Sequence, residues 1–493
     1  MKVMTIYDDT GRKSDVIRDI IGEKGFSDVV VKKRRLEEYY YEFIEKIYPD
    51  VEWKTIHSTS EYLEVIKWLE SCVETNVHIL HVFSNYIVSD EEKVLLSLEK
   101  LNFIDRPYRV MHCNRVAVAM FPDIITYIQF CRNVISDKKS WDAAKEISDY
   151  FEIEGLVDIG IVGNFIQCIT GNFDSRYFNS LQGNEYTLVK SSSNKKKIKS
   201  EYTFYHLLPD DMKFWFVMPF NYIENKSCAS YTMERLHMTD LAIKWVHGSI
   251  DENEFTELLD KYFFFFKSRH KKKCSVVEYQ EMANTLYVDK VIKRTSDLKK
   301  LEAYDPIKKL LEVFDNCDLD SLINEYFCLK EKIEAKVSYD AECVIGHGDP
   351  CFANTLYNKS TKTLKFIDPK GALTEDELWT NPYYDVAKLS HSICGRYDFF
   401  NNGLFDIRLG SDFSYILDIP FDNSKYIKIF KEKVEENGFD YLTVRIYEAS
   451  LFLSMLPLHI DNPHKVFGFI LNVKNILEEI ESKRKIIRRI VLP

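Results

Sequence analysis

Two carboxylates and one carboxamide lie where apolar runs of this chain end. The first apolar run closes at a His-Gly-Asp sequence that ends in Asp349, and Asn354 follows five positions later in the same loop. A second apolar run, residues 364–367, delivers Asp368 at its own end. Two neighbouring strand ends with a loop between them can gather one base and two metal ligands. Phosphoryl transfer from a metal-bound nucleotide requires little more than this positioning and a group that accepts the alcohol proton.

The motif HxDxxxxN, followed by two hydrophobic residues and an aspartate, resembles the signature of the aminoglycoside phosphotransferase and choline kinase superfamily, relatives of the protein kinases. The resemblance implies a bilobal α+β protein-kinase-like domain that uses ATP and Mg²⁺. It implies that Asp349 is the catalytic base, that Asn354 and Asp368 hold Mg²⁺, and that Asp385 braces the catalytic loop. The sequence around Asp368 and the sequence of residues 394–399 resemble those of phosphotransferases found with capsule and surface-polysaccharide enzymes.

A lysine and a glutamate upstream are candidates for the pair that contacts the nucleotide phosphates. Kinases place a cation on these phosphates, usually a strand lysine oriented by a helix glutamate. Lys190 ends an apolar run, and Glu201 lies eleven positions later at the start of an amphipathic pattern. This spacing predicts a Lys190–Glu201 pair. The alternative assigns the phosphate contact to one of the lysines at 195–197.

Two further segments are candidates for the nucleotide site. Gly160 and Gly163 stand between two apolar runs, so that a predicted hairpin could bring backbone N–H groups close to phosphate; a plain hairpin is the alternative. Residues 230–236 resemble the hinge between kinase lobes, where adenine pairs with the backbone. The resemblance makes Met233 and Glu234 the expected neighbours of the adenine.

The sequence indicates the acceptor site less clearly than the nucleotide site. Related kinases assemble the acceptor pocket from late helices, often with acids and aromatic side chains that hold ammonium groups. The candidates in the late part of this chain are Asp398, Glu448, His459 and Asp461. For Glu448 and Asp461, a helix cap or a surface acid is the competing interpretation.

Composition limits the class of protein. The chain has 493 residues, 45% of them hydrophobic, and carries a net charge of −11, which argues against nucleic-acid binding. Eleven cysteines lack CxxC pairs, so reduced thiols in the cytoplasm are expected. No run approaches the roughly 20 apolar residues of a membrane span. The expected partners are a nucleotide and a small-molecule substrate, and the sequence leaves a homo-oligomer open.

The pattern of elements predicts three regions. Short β-type runs alternate with helical patterns over residues 1–140, which predicts an α/β domain with a parallel sheet. Residues 141–236 are strand-rich and predict a small kinase-like lobe. Residues 237–493 are dominated by helical patterns and predict the large helical lobe that carries the catalytic loop.

The first region resembles the GT-A fold of nucleotidyltransferases but departs from its motifs. The first strand is followed by a loop with a single glycine, and a metal-binding aspartate is replaced by the Ser-Asn-Tyr sequence at 84–86. We interpret the region as a degenerate nucleotidyltransferase-like domain. The adjacent Asp8 and Asp9 suggest a rival, the opening of a haloacid-dehalogenase phosphatase, although the usual intervening residue is missing.

The sequence therefore favours an ATP-dependent phosphotransferase with an alcohol group as acceptor, acting on an amino alcohol or a sugar in surface-polysaccharide biosynthesis. Two alternatives stay open. One is a bifunctional protein that adds nucleotidyl transfer by the first domain. The other is a non-catalytic scaffold that binds nucleotide.

Overall fold

The protein consists of two compact units with mixed α/β structure, Met1–Asp174 and Ser175–Pro493. The computed structural model describes residues 2–31, 33–72, 77–137, 139–169, 180–184, 186–314, 318–334, 341–411 and 413–491. None of the helices in those ranges is long and apolar enough to cross a membrane.

The first unit is built on a six-stranded mixed sheet in the order β4–β1–β5–β8–β7–β9. Its strands are β1 (Lys2–Asp8), β2 (Val30–Val31), β3 (Arg34–Arg35), β4 (Glu52–Ile56), β5 (Val77–Phe83), β6 (Tyr86–Val88), β7 (Tyr108–His112), β8 (Arg115–Phe121), β9 (Asp149–Glu152) and β10 (Leu156–Asp158). Its helices are α1 (Asp15–Ile21), α2 (Leu36–Glu45), α3 (Tyr62–Glu70), α4 (Glu91–Glu99), α5 (Ile124–Asp137), α6 (Ser140–Lys145) and α7 (Val162–Ile169).

The sheet departs from the predicted all-parallel layer at one hairpin. Strand β1 pairs in parallel with β4 and β5, but β8 runs antiparallel to both β5 and β7. Residues 108–121, a single β-type run in the sequence, form the two strands β7 and β8. The chain turns between them because Cys113 and Asn114 both have positive φ, 47° and 62°. Two such residues form the tight turn that suits the twist of a two-residue hairpin.

The first unit also extends past the predicted boundary at residue 140. Strand β9 joins the edge of the sheet by parallel pairing with β7, and β10 pairs with β6. Both strands therefore belong to the fold of the first unit rather than to the region predicted to start at residue 141.

The second unit combines a small sheet with a large helical part. Its strands are β11 (Ser180–Gly183), β12 (Thr187–Ser192), β13 (Pro219–Glu224), β14 (Ala229–Glu234), β15 (Thr239–Asp240), β16 (Lys271–Lys273), β17 (Glu342–Ile345), β18 (Thr355–Asn358), β19 (Thr363–Phe366), β20 (Trp379–Thr380), β21 (Asp406–Leu409) and β22 (Tyr415–Asp418).

The helices of the second unit include a π-helical turn, Thr285–Asp289, directly before α13. They are α8 (Lys195–Leu207), α9 (Asp210–Lys213), α10 (Leu241–Val246), α11 (Glu252–Ser268), α12 (Val276–Asn284), α13 (Lys290–Lys299), α14 (Asp305–Phe314), α15 (Leu319–Glu334), α16 (Pro382–Ile393), α17 (Tyr397–Asn401), α18 (Ser424–Glu436), α19 (Tyr441–Met455) and α20 (Pro463–Val491).

Two features of the second unit position the polar residues of the motif. Strands β11–β12–β14–β13 form an antiparallel sheet, and α8 follows β12 after Asn194 caps its first turn. The hairpin of β18 and β19 lies next to this sheet, because the Phe366 N–H donates to the Trp215 carbonyl at 2.7 Å and the Val217 N–H donates to the Phe366 carbonyl at 3.2 Å. One continuous apolar core runs from α8 to α20 and packs beneath these elements.

Candidate phosphotransfer site

Lys190 and Glu201 form a buried ion pair in the second unit. Lys190 lies on the inner strand β12, opposite Tyr231 on β14, and 3% of its side chain is exposed. Its Nζ atom lies 2.8 Å from Oε2 of Glu201 on α8. The Tyr231 hydroxyl donates to the same oxygen at 3.1 Å. The structure thus brings together the two residues that the spacing paired, while the alternative lysines 195–197 lie in the first turn of α8.

Asp368 joins this pair from the end of β19. Its Oδ1 atom lies 2.7 Å from Nζ of Lys190, and 39% of its side chain is exposed. Burial would lower the pKa of Lys190, but the carboxylates of Asp368 and Glu201 outweigh burial and raise that pKa above its ordinary value. Lys190 is therefore an ammonium ion at neutral pH. Nζ of Lys197 lies 3.7 Å from the other carboxylate oxygen of Glu201, so two ammonium ions face the two carboxylates, and Asp368 is the partly exposed member of this group.

The loop that carries Asp349 is held from behind by Asp385 on α16. The carboxylate of Asp385 accepts hydrogen bonds from the backbone N–H of His347 at 2.9 Å and of Gly348 at 2.8 Å. On its other side, Arg269 donates to Oδ2 of Asp385 at 2.8 Å, and both side chains are buried. The contacts expected of a brace for this loop are thus present at Asp385.

His347 connects the two halves of the motif. Its Nδ1 atom accepts from the backbone N–H of Asp349 at 3.0 Å, so its Nε2 atom carries the proton and donates to the Ile367 carbonyl at 2.9 Å. Burial lowers the pKa of His347, and its ring stacks on Phe216 with a centroid separation of 5.7 Å. A neutral His347 therefore ties the loop of Asp349 to the residue before Asp368. The HxDxxxxN motif contains this histidine, but no role for it followed from the sequence.

Asp349 is paired with a lysine that sequence reasoning missed. Nζ of Lys388 lies 3.0 Å from Oδ1 of Asp349, whose side chain is 39% exposed. Burial would raise the pKa of Asp349, but the Lys388 ammonium outweighs it and holds that pKa below its ordinary value. Asp349 is therefore an ionised and accessible carboxylate. Lys388 lies one helical turn after Asp385 on α16, and that spacing is the signal that could have revealed it.

Asn354 completes the convergence of the three motif residues. The side-chain Nδ2 atom of Asn354 donates to the backbone carbonyl of Asp349 at 3.0 Å. The backbone carbonyl of Asn354 accepts from the Ile367 N–H at 3.0 Å. Because the amide nitrogen is used in the first bond, the amide oxygen is the atom that can bind a cation. Asn354 thus links the loop of Asp349 to the neighbour of Asp368.

A narrow cleft lies beside Lys190 and Asp368. It is lined by side chains that include Phe204, Phe216, Met233 and Phe366. Met233, one of the two predicted adenine neighbours, lies in this cleft. Glu234 is the exposed last residue of β14 and is not among the lining residues.

A larger cavity, about 250 Å³, opens on the other side of Asp349. Five segments build it: α13, the loop that carries Asp349, α16, α17 and the chain around the end of α19. The residues that line it are Lys290, Arg294, Asp349, Lys388, His391, Tyr397, Ser454, Met455, Leu458 and His459. The carboxylate of Asp349 therefore lies at the wall of a cavity that is large enough for a small metabolite.

The structure brings one of the four predicted acceptor residues, His459, to this cavity. Asp398 is buried on α17, and burial raises its pKa to about 7. Glu448 is buried within α19, where Arg445 and Ser390 donate to its carboxylate. Asp461 is exposed after the end of α19. These three acids are not among the residues that line the cavity.

The predicted glycine hairpin is wrong. Gly160 lies in a turn, and Gly163 lies in α7, a helix where a strand was expected. Phe165 and Cys168, three positions apart, are the buried residues of this helix, so the apolar pattern has a helical period. Both glycines belong to the first unit, whereas the sheet that carries Lys190 belongs to the second.

The second unit could hold Mg²⁺ only together with a substrate. In the described part of the chain, three or more His, Cys, Asp or Glu side chains nowhere gather in a way that could hold a metal. Mg²⁺ is commonly bound through one or two carboxylates plus substrate phosphates and water. The partly exposed Asp368 carboxylate and the Asn354 amide oxygen fit such a site.

No protein-family model matches the chain, and no curated protein sequence is similar to it. Solved structures with weak similarity include the aminoglycoside phosphotransferase APH(4)-Ia in complex with AMP-PNP and hygromycin B, at 12% identity and a TM-score of 0.36, over 62% of this chain and 95% of that chain. A protein assigned as a fructosamine-3-kinase from Haemophilus somnus 129PT has 10% identity and a TM-score of 0.36, over 64% and 96%. An aminoglycoside phosphotransferase with streptomycin and ATP has 13% identity and a TM-score of 0.31, over 62% and 89%.

Proposed function

We propose that the second unit is a kinase that transfers the terminal phosphoryl group of ATP to a hydroxyl group of a small metabolite. The observation that carries this proposal is the bonding of Lys190 to both Glu201 and Asp368. Protein kinases use a strand lysine paired with a helix glutamate at the nucleotide phosphates, together with an aspartate that holds Mg²⁺. The weak structural similarities carry no part of this argument.

In the proposed reaction, Asp349 accepts the proton of the acceptor hydroxyl. The hydroxyl oxygen forms a bond to the terminal phosphorus of ATP, the bond from that phosphorus to the bridging oxygen breaks, and ADP leaves. Lys388 keeps Asp349 ionised, and the Asp385 brace fixes the loop on which it stands. Mg²⁺, when bound, would supply positive charge against the phosphate oxygens, and Asp368 and Asn354 are the residues that would hold it.

The non-catalytic scaffold is less consistent with this site. A scaffold needs to bind nucleotide, but it needs no ionised and accessible carboxylate beside a cavity. Asp349 is such a group, and it faces a space that a metabolite can enter. The hypothesis of a role in surface-polysaccharide biosynthesis rests only on the sequence resemblance of the motifs.

Nucleotidyl transfer by the first unit finds little support in its carboxylates. The Asp9 carboxylate accepts bonds from the backbone of Phe26 and Ser27 and from the hydroxyl groups of Ser27 and Ser84. The buried Asp8 carboxylate accepts from Thr10, Tyr62 and His81. These bonds favour a structural role for both aspartates. They explain Ser84 as a hydrogen-bond donor and weaken the phosphatase alternative as well.

The proposal is tested with the full-length protein in an ADP-release screen over small hydroxylated metabolites with Mg²⁺. We expect Asp349→Asn to lower turnover by about 10²–10⁴-fold, the range for loss of a general base, while nucleotide binding survives. Asp368→Ala should abolish Mg²⁺-dependent nucleotide binding. The exposed Asp406→Asn is the matched control. Unchanged turnover in Asp349→Asn would remove Asp349 as the base.

A further inference from the structure

The cavity beside Asp349 is strongly cationic. Lys290 and Arg294 lie four positions apart on α13, so they are neighbours on one face of the helix. They follow the π-helical turn Thr285–Asp289, a feature found frequently at functional sites. Lys388 adds a third cation from α16, whereas Asp349 is the one carboxylate among the described residues that line the cavity. Two like charges at this spacing destabilise a helix slightly.

The surrounding protein neutralises one of these three charges. The Lys388 ammonium is paired with Asp349 at 3.0 Å. Nζ of Lys290 donates to the Tyr384 hydroxyl at 3.1 Å, which satisfies a hydrogen bond without adding a full negative charge. Arg294 forms no ion pair with any side chain in the part of the chain that the structure describes. Two positive charges at the cavity wall are therefore left for a ligand.

His391 supplies a second, independent sign of a ligand. Its side chain is 1% exposed, stacks against Tyr397 with a centroid separation of 4.3 Å, and contacts the tilted ring of Phe452 at 4.2 Å. Its Nε2 atom is buried and has no hydrogen-bond partner among the described residues. Burial and the nearby Lys388 lower the pKa of His391 well below its ordinary value, so the ring is neutral. An unpaired buried nitrogen is costly, and a polar ligand group in the cavity would satisfy it.

We propose that the acceptor is an anionic alcohol, a small metabolite whose phosphate or carboxylate group binds Lys290 and Arg294 while its hydroxyl group meets Asp349. This inference rests on the phosphoryl transfer proposed above and narrows its substrate. Arginine and lysine are the side chains that bind phosphate and carboxylate groups, and Arg294 can do so through two parallel hydrogen bonds. An amino alcohol would instead bring its ammonium group against two unneutralised cations.

The sequence pointed in the opposite direction. Acids in the late helices suggested a pocket for an ammonium group, but Asp398, Glu448 and Asp461 do not line the cavity. The cations come from α13 and α16, which the sequence did not connect with the acceptor. An alternative use of Lys290 and Arg294 is to hold the terminal phosphate of ATP, and the test below separates the two uses.

Binding of inorganic phosphate tests the anion site without requiring turnover. The full-length protein is first saturated with Mg²⁺ and AMP-PNP, so that the nucleotide phosphates are already in place, and phosphate is then titrated calorimetrically to 50 mM. We expect one site whose affinity falls at least tenfold in Lys290→Gln and Arg294→Gln. Lys293→Gln, an exposed residue between them on α13, should bind phosphate like the wild type. Absence of binding, or equal binding by all variants, overturns the proposal.

Turnover of a matched sugar series then identifies the anion. The series contains glucose 6-phosphate, glucuronate, glucose and glucosamine, which differ chiefly in charge, and the two anionic members distinguish phosphate from carboxylate. We expect an anionic member to show at least tenfold higher kcat/KM than glucose or glucosamine. Arg294→Gln should raise KM for that acceptor rather than KM for ATP. Preference for glucose or glucosamine, or an effect of Arg294→Gln confined to KM for ATP, overturns the inference.

The two proposals can fail separately. If phosphate binds and depends on Arg294 but no metabolite is phosphorylated in a reaction that depends on Asp349, the anion site stands and the kinase function fails. If a neutral or cationic alcohol is phosphorylated and phosphate does not bind, the kinase function stands and the anionic acceptor is refuted.

Discussion

Replacement of Lys388 by glutamine tests how the proposed base is kept ionised. The Lys388 ammonium lies 3.0 Å from the Asp349 carboxylate and is the reason that the pKa of Asp349 lies below its ordinary value despite burial. An opposite charge at such a distance lowers a carboxyl pKa by about one to three units. Because 39% of the Asp349 side chain is exposed, solvent screens part of this interaction.

The sign of the effect follows from the charge that is lost. Without Lys388, the largest influence that opposes burial is lost and the pKa of Asp349 rises, so the base becomes protonated at a higher pH than in the wild type. The acid limb of kcat/KM should therefore move to higher pH in Lys388→Gln. Lys388→Arg, which keeps the positive charge, should leave the limb near its wild-type position. The exposed Lys428→Gln should have no effect.

The assay is ADP release between pH 5 and 9 with the best acceptor from the screen. The readout is the pH at which the acid limb of kcat/KM lies, rather than the absolute rate. Lys388 also lines the acceptor cavity, so its loss should raise the KM for the acceptor as well. An acid limb at the same pH in Lys388→Gln and the wild type would refute the reasoning. It would mean that Asp349 is not the titrating group, or that Lys388 does not control it.

Two further changes test the scaffold of the site. Arg269→Met leaves the buried Asp385 carboxylate without its ion pair and should cost about 3–5 kcal/mol of stability, measured by chemical denaturation, with Arg269→Lys as the milder control; a loss below about 1 kcal/mol would contradict the brace. Gly348→Ala places a Cβ 2.5 Å from Cβ of Lys370 at a φ of 84° and should cost about 1–3 kcal/mol. Gly163→Ala, which meets no atom within 4 Å, is its control, and equal unfolding midpoints for both alanine variants would contradict the strain argument.

The local part of the site could be read from the sequence because each functional residue stands at the end of a strand or the start of a helix. Asp349, Asn354 and Asp368 lie on one strand–loop–strand segment, and their convergence follows from the pairing of β18 with β19 and the hydrogen bonds of Asn354. Lys190 and Glu201 are likewise joined by one turn between β12 and α8. Short-range geometry of this kind is encoded by spacing.

The cavity could not be read in the same way. Lys290 and Arg294 precede Asp349 by more than fifty positions, and they reach it only through the packing of α13 against other helices of the large core. A pair of cations four positions apart on a helix ordinarily indicates a solvated face. Conversely, Glu448 looked like a candidate ligand because it is an acid within an apolar helix, but it is buried away from the cavity and an arginine one turn away on the same helix donates to one of its carboxylate oxygens.

In the first unit, the misread elements have local causes. The hairpin of β7 and β8 depends on two residues with positive φ, and neither of them is glycine, which is the usual sign of such a turn. Helix α7 is eight residues long, and an apolar run of that length fits a strand or a helix equally well. Tertiary pairing of β9 with β7, rather than composition, decides where the first unit ends.

Helix α16 links the brace, the proposed base and the proposed acceptor cavity. Asp385, Lys388 and His391 follow one another at intervals of three residues, so each lies about one helical turn beyond the last. Asp385 accepts a hydrogen bond from the backbone of the loop that carries Asp349, and Lys388 keeps Asp349 ionised. His391 lines the cavity, and its Nε2 atom has no hydrogen-bond partner among the described residues. A displacement of this helix would therefore disturb the position of the base, its ionisation and the acceptor contact together. Substitutions in the core beneath α16 should consequently lower kcat and raise the KM for the acceptor at the same time, whereas substitutions at Arg294 should act on the acceptor KM alone.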